Sequence, residues 1–130
     1  MDLDYIRNHY GQAVSDKKLC KEMISGLEKP KLTSVHLAYL GGLQTIWANH
    51  VVNPFSKLST FNKGKASIAK AIMKDSNNAE IRLIRFSVQK NCPAFLGYNK
   101  NISEDEDFLK KNREQINSIA VLKLLDSVLK

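Results

Sequence analysis

Acidic residues are missing from one long stretch of this chain. Between Glu28 and Asp75 there is no Asp or Glu, while Lys29, Lys31, Lys57, Lys63, Lys65, Lys70 and Lys74 all fall there. These lysines carry a charge equal to the whole net charge of +7, so the asymmetry is regional. Strand signals are nearly absent: no alternating Val/Ile/Thr run is bounded by an Asn-Gly or Asp-Gly turn, which argues against a β fold. No apolar run approaches the ~18 to 20 residues of a membrane helix. The two cysteines, Cys20 and Cys92, are too few for a disulfide-stapled miniprotein and fit no metal spacing. Free buried thiols are the expectation, with a single bridge the alternative in an exported protein. Apolar residues at 43% exclude a disordered chain, and six glycines exclude a collagen-like repeat. The N-terminus Met1-Asp2-Leu3-Asp4-Tyr5 has neither a basic nor an apolar leader segment. A cytoplasmic protein is expected as the sequence stands; the alternative is an exported or periplasmic mature form with a non-native Met1.

What is present reads as helix from end to end, in one domain spanning residues 1–130. The first helix is predicted over Leu3–Val14 and the second over Lys17–Leu27, with Asp16 as its N-cap and Leu19, Met23, Ile24 and Leu27 on one face. Pro30 ends it. A third helix, Val35–Val51, is apolar in nearly every direction, as expected of a central helix covered from several sides. Gly41-Gly42 inside it costs roughly 1 kcal/mol per Gly relative to Ala, which close approach of a neighbouring helix would offset. The fourth helix, Ser56–Lys74, places Leu58, Phe61, Ile68, Ala69 and Ile72 on an apolar face and Lys63, Lys70 and Lys74 on another. Lys65 falls inside the apolar face, implying either a snorkelling stem or an irregularity near Gly64. The fifth helix, Ala79–Lys90, has the core stripe Ile81, Ile84, Val88. Cys92-Pro93-Ala94-Phe95-Leu96-Gly97-Tyr98 is an apolar loop, expected to pack on the domain. Ser103 with Glu106 forms a capping box that opens a sixth helix running to Ile116, and a seventh covers Ser118–Leu129 with Ile119, Leu122, Leu125 and Val128 or Leu129 as its stripe. The expected fold is all-α: about seven helices as antiparallel hairpins, in a repeat-like right-handed stack closed by a C-terminal capping helix.

Two resemblances bear on that fold. Gly64, Ile68, Ala71, Ile72, Asp75, Ser76 and Asn78 resemble the second helix and exit turn of a tetratricopeptide repeat, with Ser76 in place of the proline. Leu40-Gly41 resembles the Leu-Gly pair of the repeat's first helix, but lies farther from Gly64 than the repeat allows. The unit is therefore degenerate and expanded. Over most of the chain, Ala38-Tyr39-Leu40-Gly41-Gly42, Ala48-Asn49-His50, Asn53-Pro54-Phe55-Ser56-Lys57 and Phe61-Asn62-Lys63-Gly64 are similar to a family of small uncharacterised bacterial helical proteins. The likeness continues through Glu80-Ile81-Arg82, Arg85-Phe86, Gln89, Pro93 and Phe95-Leu96-Gly97-Tyr98. It implies a helical fold and, through members that begin with export signals, a possible exported form; it implies no catalytic residue.

No motif assigns an activity. His9, His36 and His50 lack ligand spacing, and neither a nucleophile elbow, a P-loop nor a dinucleotide fingerprint occurs, so no catalytic residue, metal or cofactor is expected. One polar constellation stands out. Arg82, Arg85 and Gln89 share a side of the fifth helix by i, i+3, i+7 spacing, Glu80 sits at that helix's start, and His50 and Asn53 end the third. Functionally this would be a recess for an anionic or peptide ligand. Structurally, and by preference, Arg82 or Arg85 would tie down the Asn53-Pro54-Phe55 turn and the Cys92–Tyr98 loop through their carbonyls, with Glu80 as a carboxylate alternative. The expected function is a non-catalytic module binding protein or peptide. The alternatives are a basic surface, centred on Lys63, Lys70 and Lys74, binding nucleic acid or another polyanion, and an enzyme unsupported by motifs. With only four arginines, nucleic acid is not favoured.

Overall fold

The computed structural model describes residues 1–129. Among them are seven α-helices: α1 (Leu3–His9), α2 (Lys17–Leu27), α3 (Ser34–His50), α4 (Pro54–Lys74), α5 (Ala79–Asn91), α6 (Ile102–Lys111) and α7 (Ile119–Val128). Single 3-10 turns at Gly11–Val14, Ala94–Leu96 and Arg113–Gln115 fill the connections, and no strand occurs among the described residues. The all-α class and the number of helices are as the periodicity predicts.

Local chemistry starts most helices. Asp2, Asp16, Thr33, Asn53, Asn78 and Ser118 each accept a backbone N–H of the turn they open, satisfying donors that have no partner within the helix. Pro54 follows the Asn53 cap at the first helical position, where its missing N–H costs nothing. Two boundaries differ from expectation. The first helix stops at His9, and the chain tightens into a 3-10 turn from Gly11, a poor helix former. The sixth begins at Ile102, so Ser103 lies inside it and the Ser103/Glu106 capping box does not form; Glu106 instead pairs with Lys110 at 3.1 Å. Its start is set by a tertiary contact: the Asn101 N–H donates to Gln89 Oε1 and Gln89 Nε2 to Asn101 Oδ1, both at 3.0 Å. That helix ends at Lys111, where the Asn112 side chain donates to the Phe108 carbonyl.

Packing is built on α3 against α4. A Cβ at Gly41 would stand 2.7 Å from the Gly64 carbonyl oxygen, and one at Gly64 would stand 2.6 Å from that of Gly41. The two backbones touch, as the Gly41-Gly42 pair implied. Gln44 receives a hydrogen bond from Ser67 at 2.9 Å, while Thr45 stands by Gly64, so the pair is antiparallel. Helix α3 is buried at Ala38, Tyr39, Leu40, Leu43, Thr45 and Ala48, confirming a central helix. The buried face of α4 is Phe61, Gly64, Ile68 and Ala71, rotated from the predicted one: Leu58 and Ala69 are exposed. Lys65 is half-buried in a regular helix, its ammonium 5.2 Å from the Tyr98 ring centre and 6.0 Å from that of Phe61. Its place on an apolar face is thereby explained.

Helix α5 is covered on two sides. Ile81, Ile84 and Val88 join the core made by α1 to α4, while Ala79, Leu83 and Phe86 join a second core with Leu109, Ile116, Val121, Leu125 and Val128. The predicted stripe is right and a second one, on the opposite face, accompanies it. On α7 the buried stripe is Val121, Leu125, Val128; Ile119 points outward. In the apolar loop Cys92, Leu96 and Tyr98 pack against the first core, but Phe95 is exposed. Cys20 and Cys92 are free thiols, and burial pushes the Cys20 thiol up to about 11.

Gly41→Ala and Gly64→Ala should each lower stability by about 1 to 3 kcal/mol despite the gain in helix propensity, because the obstacle is backbone rather than a movable side chain. Gly11→Ala, with nothing within 4 Å of its Cβ, should leave the melting temperature unchanged or raised. Thermal melts of the three variants check this.

Candidate functional site

The polar constellation separates into two knots, both anchored on α5. In the first, Arg85 forks onto Asp105 of α6: Nε donates to Oδ2 and Nη2 to Oδ1, each at 2.7 Å. Arg82 adds Nη1 to the same Oδ1 at 3.2 Å and to Glu104 Oε2 at 3.0 Å. The Asp105 side chain is 0% exposed. Such a carboxylate persists in the interior only with charge-assisted partners on its lone pairs, and it has three. Pairing runs antiparallel along the two helices, Gln89 with Asn101 and Arg85 with Asp105, and the Arg82 guanidinium then stacks on the Phe108 ring at 4.5 Å. Burial opposes charge on Arg85, but Asp105 outweighs it and holds the guanidinium pKa above its ordinary value. The Asn101 amide, with the Arg85 and Arg82 charges, holds the Glu104 carboxyl below the usual range.

The second knot faces the other way. Arg7 of α1 forks onto Glu80 with Nε to Oε2 at 2.8 Å and Nη2 to Oε1 at 2.7 Å, and the Tyr39 hydroxyl donates to Oε2 at 2.5 Å. The hydrogen bonds to Glu80 raise the Arg7 pKa; burial first, and the Glu80 charge second, raise that of Tyr39. Next to it lies a recess of about 310 Å³ between α1, α5 and the start of α7. Most of its polar walls are already engaged: Gln115 accepts from the Ala79 N–H and donates to the Asn77 carbonyl, while Asn78 and Ser118 cap helices.

The six candidate residues therefore do not converge on one recess. Arg82, Arg85 and Gln89 do face one neighbour, α6. Glu80 faces α1 and α3. His50 donates from Nε2 to the Ala13 carbonyl at 2.9 Å, and Asn53 is the N-cap of α4. Arg85 is largely covered, as expected, but its acceptor is neither the 53–55 turn, nor the 92–98 loop, nor Glu80. Arg82 does reach one carbonyl, that of Ser76 in the α4–α5 turn, at 2.8 Å. Those expected partners are corrected because Arg85 faces α6, while residues 52–56 lie exposed to water and the second segment closes on itself through Gly97 N–H to the Ala94 carbonyl and Cys92 Sγ to the Tyr98 carbonyl. Asp105 was missed as a partner because its neighbours Glu104, Glu106 and Asp107 make it look like one more solvated acid of a first turn. The available signal was spacing, since Asp105 aligns with Arg85 once Gln89 is set against Asn101.

The basic surface is partly assembled. Lys70 and Lys74 rim a groove of about 430 Å³ with Lys29, over a floor of Leu32, Leu37 and Leu40; Lys63 lies elsewhere on α4. Met73, 84% exposed, stands on the groove wall. Among the described residues no three His, Cys, Asp or Glu side chains converge as metal ligands, and no helix is long and apolar enough to cross a membrane. No protein-family model, curated protein or solved structure matches the chain.

Arg85→Ala should destabilise by roughly 3 kcal/mol, since it strands a buried carboxylate, and Arg85→Lys should recover only part of that because an ammonium lacks the fork. Pairing Arg85→Met with Asp105→Leu should cost less than either single change; denaturant melts of the three report it.

Because the folded Glu104 pKa lies below its unfolded value, its contribution is present above pH ~4.3 and disappears as the pH falls through the lowered value. Glu104→Gln should therefore show a shallower acid loss of melting temperature than the parent.

Proposed function

We propose that this chain is a non-catalytic, tetratricopeptide-like interaction module of the cytoplasm, and that the groove between the α2–α3 connection and the last turns of α4 takes an acidic segment with apolar anchors. The observation that carries this is the pairing of an apolar floor with an ammonium rim: Leu32, Leu37 and Leu40 lie beneath Lys29, Lys70 and Lys74. A volume of about 430 Å³ suits a few side chains rather than a folded surface. No acidic residue occurs between Glu28 and Asp75, the stretch that builds the groove, and among the described residues no carboxylate pairs with Lys29, Lys70 or Lys74, although the Lys74 ammonium donates to the Leu32 carbonyl at 3.3 Å. Helix-paired scaffolds commonly present such clefts to peptides, which supports the reading by analogy.

An enzyme is supported less. Glu80, Glu104 and Asp105 are each engaged by arginine, which favours structural roles for them. Nucleic acid is also supported less. Three of the four arginines, Arg7, Arg82 and Arg85, are largely covered and paired with carboxylates, which leaves Arg113, in an exposed pair with Asp126, as the surface arginine.

Panning a random peptide library on the purified chain should enrich sequences combining Asp or Glu with Leu, Ile or Phe. Affinity for a selected peptide should drop about tenfold in Lys70→Glu/Lys74→Glu, since two exposed ion pairs worth up to about 1 kcal/mol each become repulsions. Absence of any enriched acidic class, or peptides that bind the double variant equally well, would refute the proposal.

A further inference from the structure

One end of the helix bundle carries most of the large apolar side chains left in water. The α3–α4 connection, the α5–α6 loop and the 3-10 turn after α1 all lie there. Helix α4 runs antiparallel to α3, which puts the α3–α4 turn at the end where α3 finishes. The Tyr98 ring packs edge-on against Phe61 at 5.9 Å, which brings the α5–α6 loop to the same end. His50 bonded to the Ala13 carbonyl adds the 3-10 turn. Val52 is 88% exposed, Phe55 85% and Phe95 86%, and Val14 and Leu58 are also exposed beside them.

We infer that this end docks on an anionic bilayer surface, with Val52, Phe55 and Phe95 entering the interface and the surrounding lysines meeting lipid phosphates and carboxylates. Three features select a membrane over a folded partner. The apolar groups stand almost fully exposed on two separate chain segments, Val52 and Phe55 at the α3–α4 connection and Phe95 in the α5–α6 loop, so a rigid partner would need a matching pocket for each, whereas a fluid interface needs none. Their exposure is near complete, which makes them free to insert without rearrangement. The charges around them are predominantly ammonium groups: Lys17, Lys18 and Lys100 are exposed and Lys57 half-buried, against the single acid Asp16 and the arginine-paired Glu104. Asp16 accepts the Leu19 N–H as the cap of α2, and Glu104, in the first turn of α6, is paired with Arg82 at 3.0 Å. The inference stands apart from the peptide groove, which involves none of these residues.

Co-sedimentation of the full chain with vesicles provides the test. Phosphatidylcholine vesicles containing phosphatidylserine should carry the protein down, phosphatidylcholine alone should carry little, and added salt should release it. Phe55→Ser/Phe95→Ser should keep the parent's melting temperature and lower partitioning about tenfold or more, since each ring loses its apolar burial. Lys57→Gln/Lys100→Gln should lower only the phosphatidylserine-dependent part, by about tenfold. Met73→Ser, in the groove, should leave vesicle binding unchanged. No sedimentation with phosphatidylserine vesicles overturns the inference. So does sedimentation that the double Phe variant leaves intact, which identifies a polyanion surface acting by charge alone. A concentration-dependent dimer in vesicle-free solution that the double Phe variant abolishes assigns the face to a second copy of this chain and overturns it too.

Discussion

A carboxylate out of contact with water, Asp105, holds the C-terminal third of the protein in place. Helix α6 is short, and its buried residues are Asp105 and Leu109. An apolar residue at 105 could attach α6 to α5 with comparable free energy, because the cost of dehydrating the ions cancels much of their attraction. It would not fix how α6 is rotated or how far it has slid. The two parallel bonds from the Arg85 fork do both, since a planar guanidinium meets a planar carboxylate in one orientation. With α6 set, Ile116 and the stripe of α7 can close over Ala79, Leu83 and Phe86.

Glu80 is the counterpart on the opposite face. It draws α1 in through Arg7 and α3 in through Tyr39, so α5 is gripped by ions on two sides and by apolar stripes on two sides. Helix α3 carries no ion of its own at its packing face and meets α4 chiefly by contact, backbone on backbone at Gly41 and Gly64. The two central helices thus rely on different physics: α3 on the smallness of glycine, α5 on the direction of its charged side chains.

Much of the fold could be read in the residues. Caps such as Asp16, the apolar surround of α3 and the meaning of Gly41-Gly42 are local signals, and each element they indicated is present. What eluded the sequence was non-local. The start of α6 answers to Gln89, twelve positions before Asn101, and overrides a plausible Ser103/Glu106 box. The second stripe of α5 was hidden because Ala79, Leu83 and Phe86 alternate with the arginines that border it. For the site, the covered state of Arg85 followed from its neighbours Ile84 and Ile81, while its partner did not, since an acid's companion can be chosen only when the helices have been laid side by side. The exposure of Leu58 and Ile119 was illegible for the same reason, as periodicity gives a face but not which angle the neighbours occupy.

The division of labour between the two kinds of cation has a chemical consequence. The four arginines are matched by Glu80, Glu104, Asp105 and Asp126, so the surplus of positive charge resides on primary amines. Guanidinium groups resist acylation under conditions where amines react. Acetyl transfer to exposed lysines would therefore cancel and, carried far enough, invert the protein's long-range field while leaving its internal ion pairs standing, separating how the molecule attracts from how it holds its shape.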